Sequence, residues 1–266
     1  MEFHKLLNFY DYIVNMKRIY KVLILSFIIP VVTLLEVQAA ETIKIPSSDG
    51  IEIVVDLYKI HPDTVPFIIL FHQAGWSRGE YLEIAPKLNA LGYNCLAVDQ
   101  RSGNSINGVD NNTFENAKKA MKQTRYIDAY RDVQSVIAHT KKFLAKGKVI
   151  IWGSSYSSSL VLKYAGENPE KIDGALAFSP GEYFKQFGKP GDYIQSSVSG
   201  ISCPVFITSS RSEKSSWWTI YEAIPSQNKS YFLPETSGNH GSRALWSKFS
   251  DSMNYWDAVK DFLSGI

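Results

Sequence analysis

A run of serines between two apolar segments is the part of the chain best suited to chemistry. Residues 150–159 read IIWGSSYSSS, with a strand-like apolar run before the serines and a helical pattern after them. A serine at a sharp strand-to-helix turn can act as a nucleophile, because the turn exposes its hydroxyl. The simpler alternative is that the serines only cap the helix that follows.

One of these serines has the small neighbours that such a turn needs. The turn requires small residues two positions before and two positions after the nucleophile. Ser155 has Gly153 before it and Ser157 after it. Ser154 would have the bulky Trp152 two positions earlier, and Ser157 would lie inside the helix. The spacing therefore favours Ser155.

A nucleophilic serine needs a base, and the chain has five histidines. His240 lies in the glycine-flanked loop TSGNHGSRA after the last predicted strand, so that it follows the serine in chain order. His4 falls in an N-terminal leader, and His61 and His139 fall in a turn and a helix. His72 ends a predicted strand, where we expect it to shape the next loop. We expect His240 to be the base.

The acid that orients the base is expected between the serine and the histidine, after a strand. Glu213 follows the predicted strand 204–209, and Glu182 follows the strand before it and remains the alternative. A simpler interpretation makes Glu213 a surface carboxylate paired with Arg211 or Lys214, which would contribute little to stability. We favour Glu213 as the acid.

Acyl transfer also needs two backbone N–H groups that stabilise the developing oxyanion. The residue after the nucleophile, Tyr156, supplies one of them in this arrangement. The loop at 72–80, HQAGWSRGE, is placed to supply the other, with Ala74 as the first choice and Gln73 close behind.

Side chains that follow strand ends can line a substrate pocket at the same edge of the sheet. On that basis we assign Gln73, Trp76 and Trp217 to substrate binding. Aromatic walls would suit an apolar or ring-bearing acyl or alcohol group. The simpler interpretation of each aromatic residue is that it belongs to the core or the surface.

The order of elements predicts an α/β domain that opens with a β-hairpin, 42–46 and 51–58, around the turn SSDG. Strands and helices then alternate, which indicates βαβ units and a mostly parallel sheet. Predicted strands cover 66–72, 93–99, 148–152, 172–178, 204–209 and 229–234. Predicted helices cover 80–92, 126–144, 159–167, 217–223 and a last one near 245–263. The stretch 100–123 is predicted to be a loop with a short helical piece.

The N-terminus has the pattern of an export signal. Lys17, Arg18 and Lys21 precede an apolar run, 22–35, and the small residues two apart in Val37-Gln38-Ala39 suit a signal peptidase. We therefore predict a signal peptide over 1–39 and a single domain over 40–266, with an upstream extension over 1–15 as one interpretation of the leader's beginning. The mature protein would be periplasmic or secreted, without stable membrane association. A retained N-terminal anchor is the alternative.

Composition excludes some classes of function. The chain has 266 residues, of which 45% are hydrophobic and 20% charged, with a formal net charge of +2. This suits one large core and gives no basic patch for a nucleic-acid partner. The sequence also shows no metal-ligand spacing, so that we expect neither a metal nor an organic cofactor.

Four segments carry a resemblance to a known family: FHQAGWSRGEY, LGYNCLAVDQRSG, GSSYSS and SGNHG, in this order. Together they resemble the α/β-hydrolase superfamily, in particular its dienelactone-hydrolase-like branch. The resemblance implies an eight-stranded, doubly wound, mostly parallel sheet with little or no cap, and a Ser–acid–His triad. It departs from dienelactone hydrolase itself at the nucleophile, where Ser155 replaces a cysteine.

The function that the resemblance implies is that of a serine hydrolase, which cleaves a small carboxylic ester through an acyl-enzyme on Ser155; the N-terminal pattern adds export. A thioesterase or a peptidase with the same triad is an alternative within the enzymes. A non-catalytic binding protein on a hydrolase scaffold is an alternative of another class.

The strand order that the resemblance implies also bears on Cys95 and Cys203. It places the two cysteines several strands apart, whereas a disulfide needs Cα atoms within about 7 Å. We therefore expect two free, buried thiols despite export.

Overall fold

The computed structural model describes residues 40–266, and the predicted signal peptide lies outside the described residues. Six β-strands come before the serine stretch in the chain: β1 (Glu41–Pro46), β2 (Glu52–Tyr58), β3 (Phe67–Phe71), β4 (Asn94–Val98), β5 (Ser105–Ile106) and β6 (Val109–Asp110). Four more follow: β7 (Val149–Ser154), β8 (Gly174–Phe178), β9 (Val205–Thr208) and β10 (Lys229–Phe232).

The α-helices of the described residues are α1 (Ile84–Ala90), α2 (Asn112–Lys119), α3 (Tyr130–His139), α4 (Tyr156–Glu167), α5 (Tyr193–Ser197), α6 (Lys214–Ala223) and α7 (Ser252–Ser264). Short 3₁₀ turns at Arg78–Tyr81, Tyr126–Ala129, Lys185–Phe187, Val198–Gly200, Arg211–Glu213 and Ser242–Leu245 lead into or link these helices. A π-helical turn at Thr140–Leu144 ends α3. No helix among residues 40–266 has the length and apolar character needed to cross a bilayer.

Eight strands form one sheet in the order β1-β2-β4-β3-β7-β8-β9-β10. The strands from β4 to β10 in this order run parallel to one another, and β2 is antiparallel to β4 and to β1. The expected eight-stranded, mostly parallel α/β sheet is therefore confirmed. The carboxyl ends of the parallel strands lie at one edge, where ligand sites form in such sheets.

Helices cover both faces of the sheet, and two apolar layers result. Alternate residues of one strand face opposite ways, so that Ile69 belongs to the apolar cluster that includes α3, α4 and α6, and Ile68 to the cluster that includes α1 and α7. Every residue of β3, β4, β7, β8 and β9 is buried. This double burial explains why these strands read as continuous apolar runs.

Several predicted elements differ from the structure at their ends or in their continuity. The predicted helix 80–92 divides into the turn Arg78–Tyr81 and α1, and the predicted helix 126–144 divides into a 3₁₀ turn, α3 and a π-helical turn. The predicted last helix begins later, at Ser252. In the first two cases the apolar spacing continues through a change of helix type, which periodicity alone does not reveal. Before the last helix, residues 246–251 form turns and bends.

A small hairpin, β5–β6, was not predicted within 100–123. Its turn residues Asn107 and Gly108 both have positive φ, 53° and 75°. This is the geometry of a two-residue type I′ turn, for which Asn-Gly is a strong signal. The short helical piece expected in this stretch is α2, which the Asn111 side chain caps by accepting from the Phe114 amide.

Candidate active site

Ser155 occupies a strained turn between β7 and α4. Its φ and ψ are 58° and −126°, a combination that non-glycine residues rarely adopt. A Cβ added to Gly153 would lie 2.5 Å from backbone atoms of Ser157 and Ser158, so that the turn closes only over glycine. Such strain persists where the surrounding structure enforces it, and it is frequent at reactive residues.

The surroundings of Ser155 hold its backbone and leave its hydroxyl at the edge of the sheet. The Ser155 amide donates to the Phe178 carbonyl at 2.7 Å. The residue is 6% exposed. The Tyr183 phenol lies beside this hydroxyl; burial raises the pKa of Tyr183 to about 12, and the contact with Ser155 opposes that shift.

His240 is hydrogen-bonded through Nδ1 to a carboxylate oxygen, Oε1 of Glu213. The other oxygen, Oε2, accepts from Ser179 Oγ at 2.9 Å and from the Ser210 amide at 3.1 Å. Burial raises the pKa of Glu213, but the bond to His240 and the hydroxyl and amide donors outweigh it and lower the pKa to about 2. Glu213 is therefore ionised at neutral pH and fixes the orientation of the imidazole.

The loop that carries His240 is fastened beside the strained serine. The Gly241 amide donates to Ser179 Oγ at 2.9 Å, and the Ser242 amide donates to Ser154 Oγ at 2.9 Å. Gly241 has φ of 70°, and a Cβ there would lie 2.5 Å from Ser154 Oγ. The close approach of this loop to the end of β7 thus depends on glycine.

The Ser155 hydroxyl itself is not hydrogen-bonded to His240 in the described residues. Catalytic hydrogen bonds are often long or poorly aligned in the absence of substrate and tighten when it binds. Ser154 and Ser179 hold the loop that carries His240 next to Ser155. The distance over which His240 and Ser155 must approach each other is therefore limited.

The alternative acid, Glu182, has a structural role. Its carboxylate accepts from the amides of Ile194 and Gln195, at 2.8–3.0 Å, where the short helix α5 begins. Arg211, a suggested partner of Glu213, instead donates to the Pro234 carbonyl at 2.9 Å. The structure thus pairs the imidazole with Glu213.

Two amides at this edge are free to stabilise an oxyanion. The Tyr156 amide is the first of α4 and so has no acceptor within the helix. The Ala74 amide likewise has no acceptor among the described residues. The Gln73 amide, in contrast, donates to Glu80 Oε2 at 2.8 Å. Of the two predicted loop donors, Ala74 is therefore the one that is available.

The buried His72 sets the direction of the Ala74 amide. Its Nε2 accepts from the Gln100 amide at 3.0 Å, which places the proton on Nδ1, and Nδ1 donates to the Gln73 carbonyl at 2.8 Å. Burial lowers the pKa of His72 to about 4, so that the ring is neutral at neutral pH. Because the peptide unit is planar and trans, fixing the Gln73 carbonyl points the Ala74 N–H the opposite way.

The three residues predicted to bind substrate differ in their burial and in their contacts. Trp76 is half-buried on the loop after β3 and stacks on Trp246 with ring centroids 5.3 Å apart. Gln73 is buried, with its side chain next to Gly241. Trp217 is 0% exposed and donates from its indole to Ser209 Oγ, so that its assignment to substrate binding is corrected to a core role.

Sequence reasoning missed the two serines that fasten the site. Ser154 was excluded as a nucleophile and given no other role, and Ser179 was not considered. Both lie at the carboxyl end of a strand, β7 and β8, next to the edge where the site forms. That position was the available signal, but it does not specify which loop a hydroxyl contacts.

Comparison with family models gives a match over residues 62–187 to the family described as serine aminopeptidase, S33. This range includes Ser155 and ends before Glu213 and His240. No curated protein sequence matches the chain.

Solved structures with similar folds include esterases and a dienelactone hydrolase. An esterase from Pyrococcus furiosus is 19% identical, with a TM-score of 0.64, covering 85% of this chain and 91% of its own. The dienelactone hydrolase from Anabaena variabilis is 12% identical, with a TM-score of 0.65 and coverage of 85% and 97%. Est1E from Butyrivibrio proteoclasticus is 14% identical, with a TM-score of 0.63 and coverage of 84% and 98%.

Proposed function

We propose that this chain is a serine hydrolase of the α/β-hydrolase superfamily that cleaves carboxylic esters; the match of residues 62–187 to the serine aminopeptidase, S33 family and a fold like that of dienelactone hydrolase support the proposal. The observation that carries the proposal is the His240–Glu213 hydrogen bond in a loop fastened next to the strained Ser155. A nucleophile, an oriented base and two free amides stand at one edge of the sheet, as acyl transfer requires.

The first half of the reaction forms an acyl-enzyme. His240 Nε2 takes the proton from Ser155 Oγ as the oxygen attacks the carbonyl carbon of the ester. The carbonyl oxygen becomes negatively charged and accepts from the Ala74 and Tyr156 amides. The bond between that carbon and the alcohol oxygen then breaks, and His240 gives its proton to the departing alkoxide.

The second half uses water in place of the serine. His240 removes a proton from a water molecule, and the resulting hydroxide attacks the acyl carbon. The bond to Ser155 Oγ breaks, the proton returns to that oxygen, and a carboxylic acid leaves. Glu213 stays ionised throughout, which stabilises the imidazolium that forms twice in the cycle.

Esters of small or medium size are the proposed substrates. Ser155 is 6% exposed, and the half-buried Tyr183 lies beside its hydroxyl. The structural neighbours named as esterases support an ester as the bond that is cleaved. The family match described as serine aminopeptidase favours amide hydrolysis as a second candidate. Turnover of matched ester, thioester and amide substrates distinguishes these reactions.

The proposal is tested with 4-nitrophenyl esters of increasing acyl length and the purified protein. Ser155→Ala and His240→Ala should each lower kcat by at least about 10⁴-fold, because they remove groups that act as a unit. Ser158→Ala is the matched control, since its hydroxyl only donates to the Ser155 carbonyl one turn into the same helix. Equal turnover by the parent protein and Ser155→Ala would contradict the proposal.

We also propose, from the N-terminal pattern alone, that the protein is exported and cleaved after Ala39. The N-terminal sequence of protein recovered from the periplasm or the medium should begin at Ala40. Full-length protein retained in the membrane fraction would instead support the anchor.

A further inference from the structure

Glu80 is a buried carboxylate that the proposed mechanism does not use. It is the last residue of the loop 72–80, here called the oxyanion loop, where it lies in the 3₁₀ turn Arg78–Tyr81, and it is 0% exposed. It has no salt bridge with a basic side chain among residues 40–266. A carboxylate in such a position is costly unless hydrogen bonds satisfy its oxygens.

The hydrogen bonds of Glu80 connect three separate loops. Its Oε2 accepts from the Gln73 amide at 2.8 Å, and its Oε1 accepts from Ser154 Oγ at 2.7 Å. Ser154 Oγ in turn accepts from the Ser242 amide at 2.9 Å. The backbone carbonyl of Glu80 also accepts from the Trp246 indole at 2.9 Å.

Each of these partners is close in sequence to a residue of the proposed machinery. Gln73 precedes the oxyanion donor Ala74, Ser154 precedes the nucleophile, and Ser242 follows the base by two residues. We propose that Glu80 is a positioning residue, whose carboxylate holds the oxyanion loop, the nucleophile turn and the histidine loop in one geometry. This inference rests on the proposed serine-hydrolase function.

The pattern of donors matches the ionised form of Glu80. Both oxygens accept a hydrogen bond, and Ser154 Oγ donates its proton to Oε1 while it accepts from the Ser242 amide. A protonated carboxyl would have to donate to Ser154 Oγ, which would leave the Ser154 proton without its partner. Protonation therefore reverses the Glu80–Ser154 hydrogen bond and leaves the Ser154 hydroxyl proton without an acceptor, which weakens the connection between the oxyanion loop and the other two loops.

The charge state of Glu80 depends on pH near neutrality. Burial raises its pKa to about 7, although the bonds from Ser154 and Gln73 and the charges of His240 and Arg243 act in the opposite direction. Tyr81, the other titratable group that faces it, has its own pKa raised by burial and by the Glu80 charge, and so stays neutral. We expect the site to be fully assembled only as pH rises through about 7.

The test compares Glu80→Gln with the parent protein. Glutamine keeps the shape and can accept from the Gln73 amide, but its NH₂ must donate to Ser154 Oγ, as protonated Glu80 would. We expect kcat for 4-nitrophenyl acetate at pH 8 to fall roughly 10- to 100-fold, the size of effect that small misplacements cause, with KM changed by less than about twofold. The ratio of parent to variant kcat should shrink towards one below pH 6.

Glu83→Gln is the matched control. Glu83 lies three residues away, is exposed, and accepts from the Ser247 amide at 2.9 Å. It should leave kcat and its pH dependence unchanged. A kcat of Glu80→Gln equal to that of the parent at pH 8, in a protein with the parent's unfolding temperature, would overturn the inference.

If Glu80→Gln fails to fold, Ser154→Ala decides the question. This variant keeps the Glu80–Gln73 bond and removes only the connection to the other two loops, so that kcat should fall while the fold persists. A kcat of Ser154→Ala equal to that of the parent would contradict the proposed positioning role of Glu80. A parent protein that neither hydrolyses esters nor reacts with a fluorophosphonate overturns both proposals, whereas an active parent with an indifferent Glu80→Gln overturns this one alone.

Discussion

At the scale of single residues, Glu213 and His240 have different roles in the proposed mechanism: the carboxylate orients the imidazole, and the imidazole acts as the base. Ser179 and Ser210 hold the carboxylate of Glu213, so that one oxygen remains for the imidazole Nδ1. His240 Nε2 is then the nitrogen available to the serine. The same logic of an acid that fixes the tautomer operates in serine proteases of unrelated fold.

Replacing Glu213 with glutamine should reduce kcat by about 10³- to 10⁴-fold, because an amide can donate to Nδ1 and stabilise the wrong tautomer. KM should change little. Glu182→Gln is the control, since that carboxylate accepts only backbone amides where α5 begins. Steady-state kinetics of both variants would show a larger loss for Glu182→Gln if the acid had been assigned to the wrong residue.

The lowered pKa of Glu213 predicts a pH-dependent contribution to stability. Since its pKa is about 2 in the folded protein and 4.5 ordinarily, the contribution is present above about pH 4.5 and is lost as pH falls towards 2. The difference in urea unfolding free energy between the parent and Glu213→Gln should therefore shrink between pH 6 and pH 3.

Glu182→Gln is the control, because its expected effect on the pH dependence of the unfolding free energy has the opposite sign. Burial raises the pKa of Glu182, so that the difference between the parent and Glu182→Gln should grow as pH falls over the same range. The same slope for both variants would mean that acid-induced expansion of the whole molecule, and not these two carboxylates, sets the pH dependence.

At the scale of elements, the turn between β7 and α4 is the most constrained part of the site. Its small-residue rule was predicted from the sequence, and the structure gives the physical cause: Gly153 packs against the backbone of the first turn of α4. Ser155 could be chosen from the sequence as the candidate nucleophile because steric limits act over five consecutive residues.

Gly153→Ala should destabilise the protein by about 1–3 kcal/mol, because its Cβ would meet backbone atoms that cannot move independently of the helix. Activity should fall as well, since any relief of the clash displaces Ser155. Gly191→Ala is the control, as no atom lies within 4 Å of a Cβ there. Urea unfolding and ester kinetics check the pair; equal stability of both variants would contradict the packing argument.

Contacts between elements distant in sequence were less predictable. The order of strands and helices and the choice of Ser155, Glu213 and His240 as candidates followed from local patterns. The bonds that bring Ser242 to Ser154 and Gly241 to Ser179 did not, because a serine hydroxyl carries no sequence signal for its partner. Trp217 illustrates the same limit: position after a strand did not distinguish a pocket wall from the core.

At the scale of the whole molecule, the strand order determines the state of the two cysteines. Cys95 lies on β4 and Cys203 just before β9, and three strands, β3, β7 and β8, separate these two in the sheet. Four strand spacings amount to about 19 Å, far beyond the reach of a disulfide. Both thiols are free and buried, as predicted.

The two thiols should be unreactive in the folded protein. Burial raises the pKa of Cys95 and raises that of Cys203 to about 11, so that little thiolate forms at pH 8. Iodoacetamide should add nothing to the native protein and two groups after unfolding without reductant, as measured by intact mass. A mass that requires reduction before alkylation would contradict the strand order.

The central claim is that Ser155 is a nucleophile activated by His240. It is tested most directly by treating the purified protein with a fluorophosphonate and locating the adduct by peptide mass spectrometry. The account predicts one adduct, on Ser155, that is absent in Ser155→Ala and strongly reduced in His240→Ala. A folded protein that forms no adduct, or forms it on another serine, would contradict the account.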